Sequence, residues 1–133
     1  MRSLLRILDA NLNRAREALR VVEDLARFHR NDGASAAALK DARHSLDRLA
    51  RPLSRDLVRA RDSERDVGRN GDRPVDRPRS PRELLSANLK RAGEALRSIE
   101  EIAKGRYSDL SREAHRRRFE IYTLEKRLTD PRA

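Results

Sequence analysis

The feature that most constrains this chain is an internal repeat. Residues 10–26 read ANLNRAREALRVVEDLA and residues 87–103 read ANLKRAGEALRSIEEIA, with 11 of 17 positions identical at an offset of 77. Self-similarity of this extent in 133 residues means that one structural unit is used twice. After a two-residue change of offset, Arg43, Leu46, Leu49 and Leu53 fall opposite Arg118, Ile121, Leu124 and Leu128. The unit is therefore a long helix, a short turn and a second helix. The expected fold is all-α: an antiparallel four-helix bundle built from two duplicated hairpins, residues 3–53 and 81–129, with a linker over 54–80, in one domain spanning 1–133.

Composition agrees with interlocking helices. Hydrophobic residues make up 37% of the chain, and only Phe28, Tyr107, Phe119 and Tyr122 are aromatic. The core must be Leu, Ile, Val and Ala, a mixture poor in the residues that pack a pleated face. With no cysteine, disulfides and thiolate metal sites are excluded. No apolar run has the length of a membrane span or a signal-peptide core, so no membrane is expected and the default location is the cytoplasm. The formal charge of +10 raises the question of nucleic acid. Its distribution argues against it: residues 1–53, 54–80 and 81–133 carry excesses of +4, +2 and +4, with acids interleaved throughout. A nucleic-acid footprint is normally a concentrated patch or tail. Nothing in the sequence fixes the oligomeric state, and a homo-oligomer stays open.

Local signals set the expected boundaries. Ser3 is the expected cap of the first helix, which runs to about His29, and Asn31-Asp32-Gly33 is a stop. Ser35 is the expected cap of the second helix, with Pro52 ending or kinking it. Ser80, Pro81 and Glu83 have the spacing of a capping box for the third helix, and Gly105 marks its end. Ser108 or Ser111 starts the fourth helix and Asp130-Pro131 closes it. The linker begins in a helix-compatible stretch, but Gly68, Gly71, Pro74 and Pro78 stop regular structure.

On a helical wheel of about 100° per residue, Asn11 falls in the middle of an arc containing Leu4, Ile7, Ala15, Ala18 and Val22. Arg14 falls between Ile7, Val21 and Leu25, whereas Asp9, Arg16, Arg20, Asn13 and Asp24 take the opposite, solvated face. The third helix repeats the pattern, with Asn88 amid Leu85, Ala92, Ala95 and Ile99 and Arg91 beside Ile102. Arg43 and Arg118 border apolar arcs of the second and fourth helices. A buried unpaired amide costs ~1–3 kcal/mol and an unpaired guanidinium more. These side chains therefore need partners: each other, the carboxylates of Glu17, Glu23, Glu94 and Glu100, or a ligand. One reading is a buried network that fixes helix register. The other is a ligand site between the repeats, in which asparagine reads donor-acceptor pairs on a heterocycle and arginine takes phosphate.

The linker contains ARDSERDVG, residues 60–68. It reads either as a solvated charged loop or as a loop presenting Asp62 and Asp66 to Mg²⁺ and Arg61 to phosphate. No glycine-rich phosphate loop is present, and His29, His44 and His115 have no metal-ligand spacing.

Three strings, ILDANLNRAREALRVVEDLARF, ARDSERDVG and ANLKRAGEALRSIEE, together resemble the helical domain often fused ahead of thiamine-phosphate synthase, described as an alternative hydroxymethylpyrimidine phosphate kinase. The resemblance spans about residues 4–128, with the motifs in order. It implies thiamin biosynthesis, with phosphorylation of hydroxymethylpyrimidine phosphate to the diphosphate using ATP and Mg²⁺. It implies a pyrimidine phosphate as small-molecule partner and a separate thiamine-phosphate synthase as recipient. Asn11, Arg14, Asn88 and Arg91, with Arg43 and Arg118, are then the expected substrate-binding residues, and Asp62 and Asp66 the expected metal ligands. The alternative is a non-catalytic binding or delivery domain of the same pathway, followed by a basic helical nucleic-acid binder.

Overall fold

The computed structural model describes residues 1–71 and 76–130. The expectations placed on Pro74 and Pro131 lie outside the described residues. Helix α1 spans Arg2–Asp24 and runs on as a π-turn, Leu25–His29. Helix α2, Gly33–Ala50, leads through a 3-10 turn at Arg51–Leu53 into the short α3, Ser54–Ala60. Helices α4, Pro81–Ala103, and α5, Ser108–Thr129, form the second hairpin. No strand occurs among the described residues.

The boundary signals act as expected at three places. Asn31 takes a left-handed conformation at φ 52°, as does Gly105 at φ 76°, and each ends the first helix of its hairpin. Ser80 caps α4 by accepting the Glu83 N–H at 3.1 Å, with Pro81 in the first turn. Two caps differ from expectation. Ser3 lies inside α1, whose N-cap is Met1 and which has no side-chain cap. Asp32, not Ser35, caps α2, accepting the Ser35 N–H at 3.0 Å and the Ser35 hydroxyl at 2.6 Å. The carboxylate takes one donor on each of its two oxygens, and its charge strengthens both bonds. The Ser35 hydroxyl bond, then its N–H, holds the Asp32 carboxyl below the ordinary range. Ser108 begins α5, while the Ser111 hydroxyl donates to the carbonyl of Glu100.

Helix α1 packs most extensively on α4, each hairpin is closed by its own pair, and α2 meets α5. The α1 and α4 directions are opposed, since Leu25 and His29 share a cleft with Pro81 and Leu85. Arg127 donates to Ser35 at 2.7 Å and Arg117 to Ser45 at 3.2 Å, so α2 and α5 are antiparallel too. This ring of four helices, with equivalent helices adjacent and antiparallel, is what a pseudo-twofold axis crossing the bundle produces. Its core is aliphatic: Leu8, Leu12, Leu19 and Leu46 from the first repeat face Leu89, Leu96, Ile99 and Ile121 from the second, all buried. Each such side chain contributes ~1.5–3 kcal/mol by leaving water.

The buried stripe of α1 is rotated relative to the wheel. It centres on Leu8, Leu12, Leu19 and Val22, while Ile7 is 43% and Val21 37% exposed. Two residues assigned to solvent move accordingly. Asp9 is buried, bound by Arg61 through two 2.8 Å hydrogen bonds. Arg16 reaches Asp47 at 2.9 Å and Asn13 at 2.6 Å. The wheel misplaced them because charged positions carry no hydrophobic signal, and a partner 52 residues away is invisible to local periodicity.

Candidate functional site

Rotation of the stripe places Asn11 and Asn88 at its edge. There they border an open groove of about 630 Å³ between α1 and α4. Both asparagines are buried, and each is satisfied first by its own helix. Asn11 donates to the carbonyl of Ile7 at 2.9 Å, and Asn88 to that of Leu84 at 2.8 Å. Neither forms a hydrogen bond across the helix interface among the described residues. That bond fixes the amide plane and leaves the side-chain oxygen for another donor. Among the described residues, the only further bond to the Asn11 side chain is from Arg14, at 3.5 Å, the outer limit of hydrogen bonding.

Arg14 and Arg91 line the same groove and are exposed, so neither guanidinium needs the buried partner that the wheel implied. Glu17 and Glu94 join them. Among the described residues, Arg91, Glu17 and Glu94 make no hydrogen bond or ion pair. Ala18 and Ala95 form the floor, and Val21 and Ser98 complete the lining. Every one of these residues has its counterpart 77 positions along. The groove therefore straddles the pseudo-twofold axis and holds two amides, two guanidiniums and two carboxylates. It can accept an anion, read hydrogen-bond donors, and cover a small flat molecule from both repeats. The repeat marks Glu17 and Glu94 as equivalent, but periodicity alone offers them only as counter-charges for arginine.

The other expected site residues lie elsewhere. Arg43 donates to one oxygen of Glu23 at 3.1 and 3.2 Å. Arg118 holds one oxygen of Glu100 at 2.8 and 3.2 Å, and His115 meets the other at 2.7 Å. These are equivalent ion pairs, each closing its own hairpin. Burial alone would raise the Glu100 carboxyl, but the His115 and Arg118 hydrogen bonds outweigh it and hold the group below the ordinary range. Arg61 ties the linker to α1 through Asp9. Asp62 accepts the Arg65 N–H and Asp66 the Gly68 N–H, so each carboxylate closes its own turn. No three His, Cys, Asp or Glu side chains among the described residues converge on a metal-sized site. Asp62 and Asp66, the expected metal ligands, are therefore not gathered into such a cluster.

Sequence reasoning missed Arg117, which looks like one more cation in a run of three. It is buried and joins α5 to α2 through Ser45 and Asp41, the latter at 2.8 Å. No helix among the described residues is long and apolar enough to cross a membrane.

Residues 6–127 match the model of the ThiD2 family. A protein of Thermosynechococcus vestitus named thiamine-phosphate synthase is 44% identical over 127 residues, covering 95% of this chain and 35% of its own length. Proteins of the same name from Gloeobacter violaceus and from Synechocystis are 42% and 41% identical, covering 95% and 92% of this chain and 36% and 35% of their own lengths. The chain thus spans about a third of the length of these curated relatives. No solved structure matches it.

Proposed function

We propose, from the premise that this chain belongs to the ThiD2 family, that it is a ligand-holding domain of thiamin biosynthesis. It retains a pyrimidine phosphate in the α1–α4 groove and works alongside thiamine-phosphate synthase. The observation that carries this reading is the duplicated set of Asn11, Arg14 and Glu17 with Asn88, Arg91 and Glu94 around one groove. An aminopyrimidine offers ring nitrogens and an exocyclic amine, which carboxylate and amide oxygens accept. Its phosphate ester is neutralised by a guanidinium. The relatives' printed name supports the pathway, and the reach of the match over nearly the whole chain supports a discrete domain.

Phosphoryl transfer from ATP to hydroxymethylpyrimidine phosphate is the second reading. The unpaired carboxylates of Glu17 and Glu94 beside the arginines favour it, because such a group accepts the proton of an attacking oxygen. Holding ranks above transfer because the groove's arginines are matched by equal numbers of carboxylates, a weak cradle for a triphosphate. Nucleic-acid binding ranks last, since that same groove is charge-balanced.

Calorimetric titration with hydroxymethylpyrimidine phosphate, run beside an ATP-consumption assay with Mg²⁺, tests the proposal. Saturable binding without turnover is expected. Arg14→Ala should weaken binding by roughly tenfold and the Arg14→Ala/Arg91→Ala double variant by more, while each substitution shifts stability by less than about 0.5 kcal/mol. Substrate-dependent ATP consumption replaces holding by catalysis. Binding that survives both substitutions removes the groove as the site.

A further inference from the structure

The two halves of the groove match residue for residue except at one pair, Val21 and Ser98. A truly twofold site cannot orient an asymmetric ligand, because the two directions have equal energy. Discrimination then has to come from whatever breaks the symmetry. Because α1 and α4 are antiparallel, with Leu25 beside Leu85, Ser98 stands at the Asn11 end and Val21 at the Asn88 end.

We propose that the Val21/Ser98 pair sets the direction of a ligand with one anionic and one planar apolar end. Its phosphate lies toward Ser98, Asn11 and Arg14, and its ring lies on Val21. This rests on the groove being the binding site. Three observations carry it. The Ser98 hydroxyl makes no hydrogen bond among the described residues, so it is available as a donor to a phosphate oxygen. Val21 is an apolar side chain left 37% exposed on the groove wall, where a flat ring would cover it. Arg14 already leans to within 3.5 Å of Asn11, which gathers cation, amide and hydroxyl at one end. At the other end Arg91 makes no such contact among the described residues. In reverse, the phosphate would meet valine in place of a donor, and a buried oxygen without a donor is costly.

The test is an exchange. The starting protein, Ser98→Val, Val21→Ser and the double variant Val21→Ser/Ser98→Val are titrated with hydroxymethylpyrimidine phosphate. Ser98→Val should weaken binding roughly tenfold, the loss of one hydrogen bond to a charged group. The double variant should recover to within about threefold of the starting protein, because the ligand turns round in a groove whose lining residues otherwise match in type. Melting curves of all four should nearly coincide, both side chains being partly exposed. A double variant as weak as Ser98→Val overturns the proposal, as does a Ser98→Val variant that binds like the starting protein. These outcomes differ from failure of the groove itself. In that case the starting protein does not bind, or Arg14→Ala and Arg91→Ala bind unchanged, and the orientation falls with the site.

Discussion

The two hairpins share a frame and differ in what surrounds it. In both, asparagine, arginine and glutamate of the long helix face the groove, and one buried glutamate is held by an arginine of the second helix. Glu23–Arg43 and Glu100–Arg118 are the same contact made twice, at 3.1 and 2.8 Å. Elsewhere the copies have diverged by exchanging whole contacts. Arg16 pairs with Asp47 in the first, and at the equivalent positions Gly93 lies against Tyr122 in the second. Ala42 becomes Arg117, which bridges to the other hairpin. Asp9, tied to the linker by Arg61, becomes Ser86. Residues lining the groove are constrained by both repeats at once, whereas positions away from it answer to fewer neighbours and are free to change together with them.

The largest way to break this comparison is at the shared ion pair. Glu100→Ala should cost ~3–5 kcal/mol, since it strands the buried Arg118 guanidinium. Glu23→Ala should cost about 1 kcal/mol less, because only Arg43 loses its partner and that side chain is the more exposed. Urea unfolding measures both, and equal costs would mean that His115 adds nothing. The pH dependence has a definite sign. Glu100 sits below its ordinary value of 4.5, so its stabilisation is present above pH 4.5 and is lost as pH falls through the lowered folded value. Glu100→Gln should therefore flatten the acid limb of the stability curve.

Equivalent core positions give the next test. Leu19→Ala and Leu96→Ala each remove a fully buried side chain and should each cost ~2–5 kcal/mol. A difference between them above about 1 kcal/mol would show that the repeats are packed unequally despite their shared pattern. The smallest effects have opposite signs at one equivalent position. Arg16→Ala should cost ~0.2–1 kcal/mol, the value of a half-exposed ion pair. Gly93→Ala should stabilise by up to about 1 kcal/mol, as a methyl would meet Tyr122 at an ordinary 3.4 Å inside a helix that glycine weakens. Two changes of the same sign would end the view that these positions were exchanged as contacts.

The repeat made much of this legible before any coordinates. Identity at an offset of 77 located both hairpins, and it singled out Asn11, Arg14, Asn88 and Arg91 as polar groups needing an explanation. It also paired Arg43 with Arg118, and it named Glu23 and Glu100 among their candidate partners. What it concealed was phase. Asn11 sits at the edge of the apolar stripe, and the arginines beside it reach open space. Asp9 and Arg117 were hidden for a related reason: their partners lie in the linker and on another helix, and a one-dimensional period carries no information about them.

The π-turn at Leu25–His29 has a consequence of its own. Between Ala26 and Arg43 the first copy carries two more residues than the second carries between Ala103 and Arg118. The first copy widens its helix end and runs on to Asn31, whereas the second stops at Ala103. The mismatch is absorbed before the returning helix begins, so each arginine still arrives opposite its glutamate. The hairpin tips therefore behave as expansion joints. Length can be inserted or removed there without displacing anything that faces the groove, which makes them the natural places to splice in a label or to open the chain and rejoin it in another order.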